Sequence, residues 1–346
     1  MDRNRMRVGL RWCKLGALGV LGLLLLGVRA AGGPDPTVSH LAGFVVLYDP
    51  ASLQSWQAHP QAFATVYLDT GVITSQGAVI PGVPPELRRW LTAHPTSVCL
   101  TVSDIVPTLS ETQLLERIWA HPRRVDRLAA QLAAAVRGSP FSGLNLDFEG
   151  NPPQDAAAFD RFLARLAPLL HREHRTLSVD VPAETTHTAA ASGYNYAAIG
   201  RRADRVLVMA YDYSYPGSRP GPIAPLWWVG RILAYASQTV PADKLWLGLP
   251  AYAYDWSGHR ASALTLSQVS RLLAAHPHSL HWNSRADAPY LRYRTGAGIH
   301  LLYYENAASL SAELRLTARR RWAGVFYWFV GAGTPRFFQI LAGYRP

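Results

Sequence analysis

Cysteine is scarce in this 346-residue sequence, which contains only Cys13 and Cys99. Cys13 falls in an N-terminal stretch with the features of an export signal, so the mature chain would keep Cys99 alone and could form no internal disulfide. Charged residues are also few, at 16%, whereas 49% of the residues are hydrophobic. This balance excludes a disordered chain or a coiled coil, and it predicts a globular protein stabilised by a sizeable apolar core.

Lysine is nearly absent, because Lys14 and Lys244 are the only two and the other basic residues are arginines. The formal net charge is +11, of which residues 1–30 supply six basic residues against one acidic residue. Elsewhere no block of like charges is longer than Arg319–Arg321. The sequence therefore lacks a basic tail for nucleic acid, and its dispersed positive charge suits weak attraction to an anionic surface such as a cell wall.

An uncharged apolar run of 14 residues, Leu15–Val28, follows a basic stretch that ends at Lys14. Small residues come next, as in a secretory signal, and we expect cleavage after Ala30. The run is short for a membrane anchor, which needs about 20 apolar residues. We predict a signal peptide over residues 1–30, with an uncleaved anchor as the alternative, and a linker over 31–40. The protein is then secreted or held in the cell envelope, and it meets a membrane only through that N-terminal segment.

Beyond the linker, short apolar runs alternate with amphipathic helical patterns, which indicates an α/β protein. Eight such units favour a (β/α)8 TIM barrel over residues 41–346, with a doubly wound open sheet as the alternative. Residues 256–300 are too many for an ordinary loop and predict a small insertion in the seventh unit, beside the barrel mouth. The predicted strands are Phe44–Asp49, Phe63–Asp69, Ser97–Asp104, Gly143–Glu149, Leu177–Pro182, Arg205–Tyr213, Leu245–Tyr252 and Gly324–Val330. The main helical stretches are Glu111–Val136, Asp155–His171, Leu226–Ser237 and Ala307–Arg321.

The fourth predicted strand, Gly143–Glu149, places Asn145, Asp147 and Glu149 on one face, because alternate side chains of a strand share a face. On an antiparallel edge strand this row would simply be solvated. In a parallel barrel it points into the interior, where unpaired carboxylates are costly. Glu149 would then lie at the carboxyl end of the strand, where barrel enzymes hold their catalytic groups. We therefore favour a catalytic role for the row.

This segment resembles the Asp-x-x-Asp-x-Asp-x-Glu signature of glycoside hydrolase family 18, the chitinase-like barrels. Three further segments follow in the order found in that family. Met209–Tyr213 resembles its sixth-strand Met-x-Tyr-Asp motif, and Leu247–Trp256 is similar to the seventh strand of its bacterial spore-cortex and wall-lytic branch. Gly324–Trp328 resembles the last strand, whose Trp forms the floor of the sugar site.

Two features depart from the signature of true chitinases. Ser142 and Asn145 stand in place of the first two aspartates, and Thr101–Asp104 replaces the third-strand Ser-x-Gly-Gly. The wall-lytic branch commonly has Asn at the second position. Asn145 therefore points to peptidoglycan before chitin.

The resemblance also implies a mechanism, in which the substrate's own acetamido group is the nucleophile and the configuration is retained. Glu149 would be the acid and base, and Asp147 would orient the acetamide, stabilise the cationic intermediate and raise the pKa of Glu149. Tyr211 would bind the acetamido oxygen. The expected substrate contacts are Asn145, which is also expected to partner Asp147, together with Asp212, Tyr252 and Trp328.

Each of these residues also has a plainer interpretation. Tyr211 and Trp328 are equally typical of core aromatics that cap a barrel, and Asp212 of a turn cap. Trp227, Trp228 and Trp282 fit packed surface aromatics better than sugar platforms. His171 and His174 fit a solvated helix end better than a metal site. No metal or nucleotide motif occurs, so neither a metal nor a cofactor is expected.

Together these features predict an exported, monomeric glycosidase that hydrolyses β-1,4-linked N-acetylglucosamine glycans, peptidoglycan before chitin. The main alternative is a non-catalytic, lectin-like barrel that binds the same glycans. A spore or envelope structural protein is a third interpretation. Lectin-like members of the family characteristically lose the glutamate, and Glu149 is present. The presence of this acid favours the enzyme.

Overall fold

The computed structural model describes residues 40–106, 108–258, 260–296 and 298–345. The predicted signal peptide, residues 1–30, lies outside the described residues, and of the predicted linker only His40 is described. Within the described ranges every helix is too short or too polar to span a lipid bilayer.

The described residues form fourteen strands in two sheets. In chain order the strands are β1 (Leu41–Val46), β2 (Thr65–Ile73), β3 (Val79–Ile80), β4 (Val98–Ser103), β5 (Gly143–Asp147), β6 (Thr176–Pro182), β7 (Arg205–Met209), β8 (Leu245–Pro250), β9 (Tyr252–Ser257), β10 (Arg260–Thr265), β11 (Leu280–Asn283), β12 (Ala288–Thr295), β13 (Gly298–Tyr303) and β14 (Gly324–Trp328).

Eight parallel strands close into a barrel in the order β1, β2, β4, β5, β6, β7, β8, β14, and β14 pairs again with β1. The short β3 pairs antiparallel with β2 outside the ring. The predicted (β/α)8 barrel is thereby confirmed. Its strands agree closely with the apolar runs of the sequence, because a parallel strand covered on both faces needs an almost continuous apolar sequence.

Ten helices, counted over the described residues, connect and cover the strands. They are α1 (Pro50–Ala58), α2 (Pro85–Ala93), α3 (Glu111–Trp119), α4 (Pro122–Val136), α5 (Ala156–His171), α6 (Tyr196–Arg202), α7 (Leu226–Thr239), α8 (Leu266–Ala275), α9 (Ala307–Arg319) and α10 (Pro335–Ala342). In α5 the five apolar residues at helical spacing, Phe159, Phe162, Leu163, Leu166 and Leu170, are all buried.

The predicted helical stretch Glu111–Val136 is divided into α3 and α4. A capping box between Ser110 and Gln113 starts α3. Pro122 then opens α4, because proline has no backbone N–H and its fixed φ suits the first turn of a helix. The amphipathic period alone did not reveal this break.

The second sheet is antiparallel, with the strand order β10, β9, β13, β12, β11. Its first strand, β9, begins one residue after β8, and its last strand in the sequence, β13, ends before α9. The sheet is therefore an insertion in the seventh unit of the barrel. Tyr252, Tyr254 and Trp256 of β9 are buried, and they pack with Tyr215 and Tyr303 into a small aromatic core next to the barrel mouth.

Candidate active site

The polar row of β5 lies inside the barrel. Asn145 is fully buried and Asp147 is 5% exposed. Backbone pairing sets Thr101 of β4 opposite Asn145, and Ser103 opposite Asp147. Glu149 follows the strand by two residues and is half-buried. The acid expected from the sequence therefore stands at the carboxyl end of its strand.

The backbone of Glu149 is held by a side chain from the neighbouring strand. Asp104, directly after β4, accepts hydrogen bonds from the backbone N–H of Glu149 at 3.2 Å and of Gly150 at 2.9 Å. A Cβ at position 150 would lie 2.4 Å from the backbone of Glu111, so glycine permits the start of α3 to approach. These contacts fix the point at which the chain leaves β5.

The next residues are anchored on the other side. The hydroxyl of Tyr194 donates to the backbone oxygen of Phe148 and accepts from the backbone N–H of Asn151. The Asn151 side chain in turn accepts a hydrogen bond from the Trp119 indole at 2.8 Å. Glu149 thus projects from a backbone with little freedom, as a catalytic group requires.

Asp180 of β6 is part of the same cluster. The side-chain amide of Asn145 donates to Asp180 at 2.8 Å, with a longer contact of 3.4 Å to Thr101. Asp180 is 2% exposed, and its carboxyl group lies close enough to that of Asp147 for the two to share a proton. The expected partnership of Asn145 with Asp147 is therefore replaced by one in which Asp180 lies between them.

Burial raises the pKa of Glu149 well above its ordinary value, and the nearby charges of Asp147 and Asp104 raise it further. Burial likewise raises the pKa of Asp147, followed by the charges of Asp69 and Asp104. The hydrogen bond with Asp180 acts in the opposite direction on Asp147. Burial is a larger cause than the like-charge repulsion on which the sequence argument relied, and both raise the pKa of Glu149, which favours its protonated form.

Two further carboxyl groups lie near this cluster, the half-buried Asp69 and the fully buried Asp104. Burial raises the pKa of Asp69, on β2, to about 7, and that of Asp104 also to about 7. Hydrogen bonds from the backbone N–H groups of Gly150 and Glu149 lower the pKa of Asp104 and partly oppose the effect of burial. Sequence reasoning did not identify Asp69, Asp104 or Asp180 as site residues.

Tyr211 follows β7 and packs edge-on against Tyr252, with 6.2 Å between the ring centres. A Cβ at Gly248 would lie 2.9 Å from the Tyr211 ring, so the absence of a side chain at this position of β8 makes room for the ring. Burial raises the pKa of Tyr211 well above its usual range, and the charges of Asp180 and Asp147 add to this. The phenol therefore remains a hydrogen-bond donor.

Asp212 is bound by two tyrosines of β9. One carboxylate oxygen accepts from the hydroxyl of Tyr252 at 2.5 Å and from that of Tyr254 at 3.0 Å. Burial raises the pKa of Asp212 to about 6, against the lowering effect of these two bonds. These contacts fix Asp212 and Tyr252 to one another and join the insertion to the barrel mouth.

Trp328 ends β14 and is half-buried, with its ring 5.3 Å from that of Phe44. Its peptide bond to Phe329 is cis.

Of the less favoured candidates, Trp227 and Trp228 pack against Tyr213, and His171 pairs with Asp204 at 3.0 Å. Over the residues that the structure describes, no group of three or more His, Cys, Asp or Glu side chains is arranged to hold a metal ion.

A family model described as "Glycosyl hydrolases family 18" matches residues 110–333 of this chain. These residues contain β5 through β14 and the candidate acid.

Two of the matching curated relatives, both from Bacillus subtilis, illustrate the likeness. The uncharacterized glycosylase YvbX is 25% identical over 322 residues, which is 90% of this chain and 91% of the relative. A cortical fragment-lytic enzyme is 29% identical over 272 residues, which is 75% of this chain and 63% of that enzyme. Among solved structures, a chitinase from Chromobacterium violaceum superposes with a TM-score of 0.80 at 25% identity, covering 87% of this chain and 97% of the chitinase.

Proposed function

Because the chain belongs to glycosyl hydrolase family 18 and is a glycoside hydrolase, we propose that it cleaves β-1,4-linked N-acetylglucosamine glycans, peptidoglycan before chitin. The proposed mechanism retains the anomeric configuration and uses the substrate's acetamido group as the nucleophile. The enzyme acts outside the cell or in the envelope, after export through the segment 1–30.

The proposal is carried by one observation, the position of Glu149 at the mouth of the barrel, which its raised pKa supports. It stands at the carboxyl end of β5 with a raised pKa, on a backbone held by Asp104 and Tyr194. A protonated carboxyl group at this place can give its proton to the glycosidic oxygen as the bond to the anomeric carbon breaks. The resulting carboxylate then takes a proton from the water that opens the intermediate.

The nucleophile in this scheme is the acetamido oxygen, which attacks the anomeric carbon and forms a cationic oxazolinium ring. Asp147 would accept the acetamido N–H and balance the positive charge of the ring. Asp180 supports this role, since its hydrogen bond orients Asp147 within the buried cluster. The Tyr211 hydroxyl would donate to the acetamido oxygen and so fix its approach.

The remaining predicted contacts suit a sugar ring. Trp328 exposes part of an aromatic face beside Phe44, and such a face binds the C–H side of a sugar. Asp212 and Tyr252, joined by their hydrogen bond, would contact polar groups of the substrate at the mouth. Asn145 is fully buried, so it would act through Asp180 and Asp147 without touching the glycan.

Peptidoglycan is favoured over chitin by three features. Asn145 stands at the position where the wall-lytic branch commonly has Asn, and one of the relatives is a cortical fragment-lytic enzyme. The net charge of +6 that remains beyond residues 1–30 also suits an anionic wall.

The test is product analysis after purified protein is incubated with peptidoglycan and with chitin oligomers in parallel. The expected products carry N-acetylglucosamine at the new reducing end, first as the β anomer, which NMR detects before mutarotation. Cleavage of chitin oligomers alone would overturn the substrate assignment. Binding of both glycans without release of reducing ends would favour the lectin-like alternative.

A further inference from the structure

A surface cavity of about 500 Å³ lies outside the barrel on the same rim as the candidate site. It is bounded by the turn that follows β2, by the loop after β4 and by the facing parts of α3 and α4. Its floor is apolar, with Leu114 and Ile118 buried, and Ser75 and Gln76 provide polar groups at the edge. The proposed reaction has no use for this cavity.

Three arginines, Arg117, Arg124 and Arg127, line the cavity, and among the described residues that line it none is acidic. None of their guanidinium groups forms an ion pair with a described carboxylate. The neighbouring Asp126 is paired with Arg165 at 3.0 Å. Arg124 is oriented by a 3.0 Å hydrogen bond to the backbone oxygen of Arg117.

The start of α4 adds to this positive potential. Arg124 and Arg127 lie in its first two turns, and its N-cap residue, His121, makes no side-chain cap. The aligned peptide dipoles of a helix give its N-terminus a partial positive charge, which attracts anions. Guanidinium groups bind carboxylates or phosphates in a planar, paired geometry. The cavity therefore combines an apolar floor with a cationic wall.

The helix α3 joins this cavity to the candidate acid. Its first residue, Glu111, approaches Gly150, directly after Glu149. Arg117 follows six residues later, a rise of about 9 Å along the helix. That distance is comparable to one disaccharide, so a group attached to a sugar near the cleaved bond can reach the cavity.

We propose that this arginine-lined cavity binds the carboxylates of an acidic peptide stem carried by the glycan, and so distinguishes peptide-bearing peptidoglycan from neutral chitin. The proposal rests on the proposed function. Peptidoglycan stems carry several carboxylates together with short aliphatic side chains, which suits both the three arginines and the apolar floor. Chitin has neither group.

The test compares wild type with the Arg117→Gln/Arg127→Gln double variant in the full chain. The kinetic arm measures initial rates on glycan strands with stems and on the same strands after an amidase has removed them. The binding arm measures fluorescence titration with a free synthetic stem peptide, which requires no hydrolysis. The Arg315→Gln/Arg319→Gln double variant is the matched control, since it removes two exposed arginines from α9, which packs between α7 and α10 on the opposite side of the barrel.

The double variant should raise KM for stem-bearing strands at least about tenfold relative to stem-free strands, with kcat little changed. Peptide affinity should fall by a similar factor. A second double variant, Arg117→Gln/Arg127→Lys, should recover part of this affinity, because lysine keeps the positive charge. An unchanged KM ratio together with unchanged peptide affinity overturns the inference even if peptidoglycan is cleaved. Peptide binding that needs the arginines, in a protein that cleaves no peptidoglycan, overturns the proposed function and leaves the cavity as an acidic-peptide site. Competition by inorganic phosphate at lower concentration than by the peptide, at equal ionic strength, overturns the carboxylate assignment.

Discussion

The side-chain amide of Asn145 donates a hydrogen bond to Asp180, 2.8 Å away on the neighbouring strand. The carboxyl group of Asp180 also lies next to that of Asp147, and a hydrogen bond between the two requires a proton on one of them. Burial raises the pKa of Asp180 well above its ordinary value, followed by the charge of Asp147. The partner that holds Asp147 therefore comes from β6, and Asn145 in turn holds that partner.

Replacement of Asp180 should separate orientation from proton sharing. Asp180→Leu removes the hydrogen bond to Asp147 and should lower kcat by about 10- to 100-fold. Asp180→Asn keeps a donor for Asp147 but cannot titrate, so it should retain most of the activity and move the acidic limb of kcat/KM to lower pH.

The measurement is a pH–rate profile for both variants beside wild type, with thermal unfolding to show that each one folds. If Asp180→Leu folds and turns over at the wild-type rate, Asp180 has no positioning role.

Substitution of the proposed acid should stop the chemistry and leave binding intact. Glu149→Gln keeps the shape of the side chain and a hydrogen-bonding amide but has no proton to transfer. We expect turnover to fall by at least about 1,000-fold, with glycan affinity within a few-fold of wild type. Reducing-end release and isothermal calorimetry with the same oligomer measure the two quantities. Substantial turnover in a clean preparation of this variant would remove Glu149 from its role.

The barrel strands and the polar row of β5 could be predicted from the sequence, because the alternation of side chains along a strand is a local pattern. The alternation in Gly143–Glu149 sends Asn145 and Asp147 inward, and the position of Glu149 at the strand end follows from the barrel. The same alternation occurs in β6, where Ser178 and Asp180 are buried and polar. That pattern was a signal for Asp180 that sequence reasoning did not use.

Other contacts depend on which elements become neighbours, and no local pattern reveals that. Asp104 holds the Glu149 backbone from a distance of 45 residues. Tyr252 and Tyr254 bind Asp212 across about 40 residues and from a different sheet. These pairings follow from strand order and from the placement of the insertion.

Stability should depend on pH through a buried acid that has no part in the proposed reaction. Glu305, between β13 and α9, is 3% exposed, and burial raises its pKa to about 8. Between its ordinary pKa of 4.5 and about 8, the folded state keeps a proton that the unfolded chain has lost. The unfolded state then binds fewer protons, so the free energy of unfolding falls as pH rises through this window.

Glu305→Gln removes that titration and mimics the protonated group. The variant should be more stable than wild type at pH 8 by about 1–3 kcal/mol, and the difference should shrink towards pH 5. Urea unfolding at several pH values measures this, with the exposed Glu86→Gln as a control that leaves the slope unchanged. An identical slope for Glu305→Gln and wild type would contradict a protonated Glu305 in the folded state.

The last prediction concerns the nucleophile. If the acetamido oxygen attacks the anomeric carbon, the sugar on the non-reducing side of the cut bond must carry a 2-acetamido group, because a free amine or a hydroxyl cannot close the five-membered ring. Glycans that lack the acetyl at that sugar should resist cleavage. A thiazoline analogue of N-acetylglucosamine should inhibit competitively, since it imitates the ring that Asp147 and Tyr211 are proposed to hold.

An ordinary retaining glycosidase instead places a second carboxylate to attack carbon and forms a glycosyl ester. Fluorosugars that trap such an ester should leave no adduct on this protein, and intact-mass spectrometry after incubation is the measurement. A stable sugar ester on Asp147, or on any other carboxylate of the site, would replace the acetamido mechanism with a covalent one and leave Glu149 as the acid.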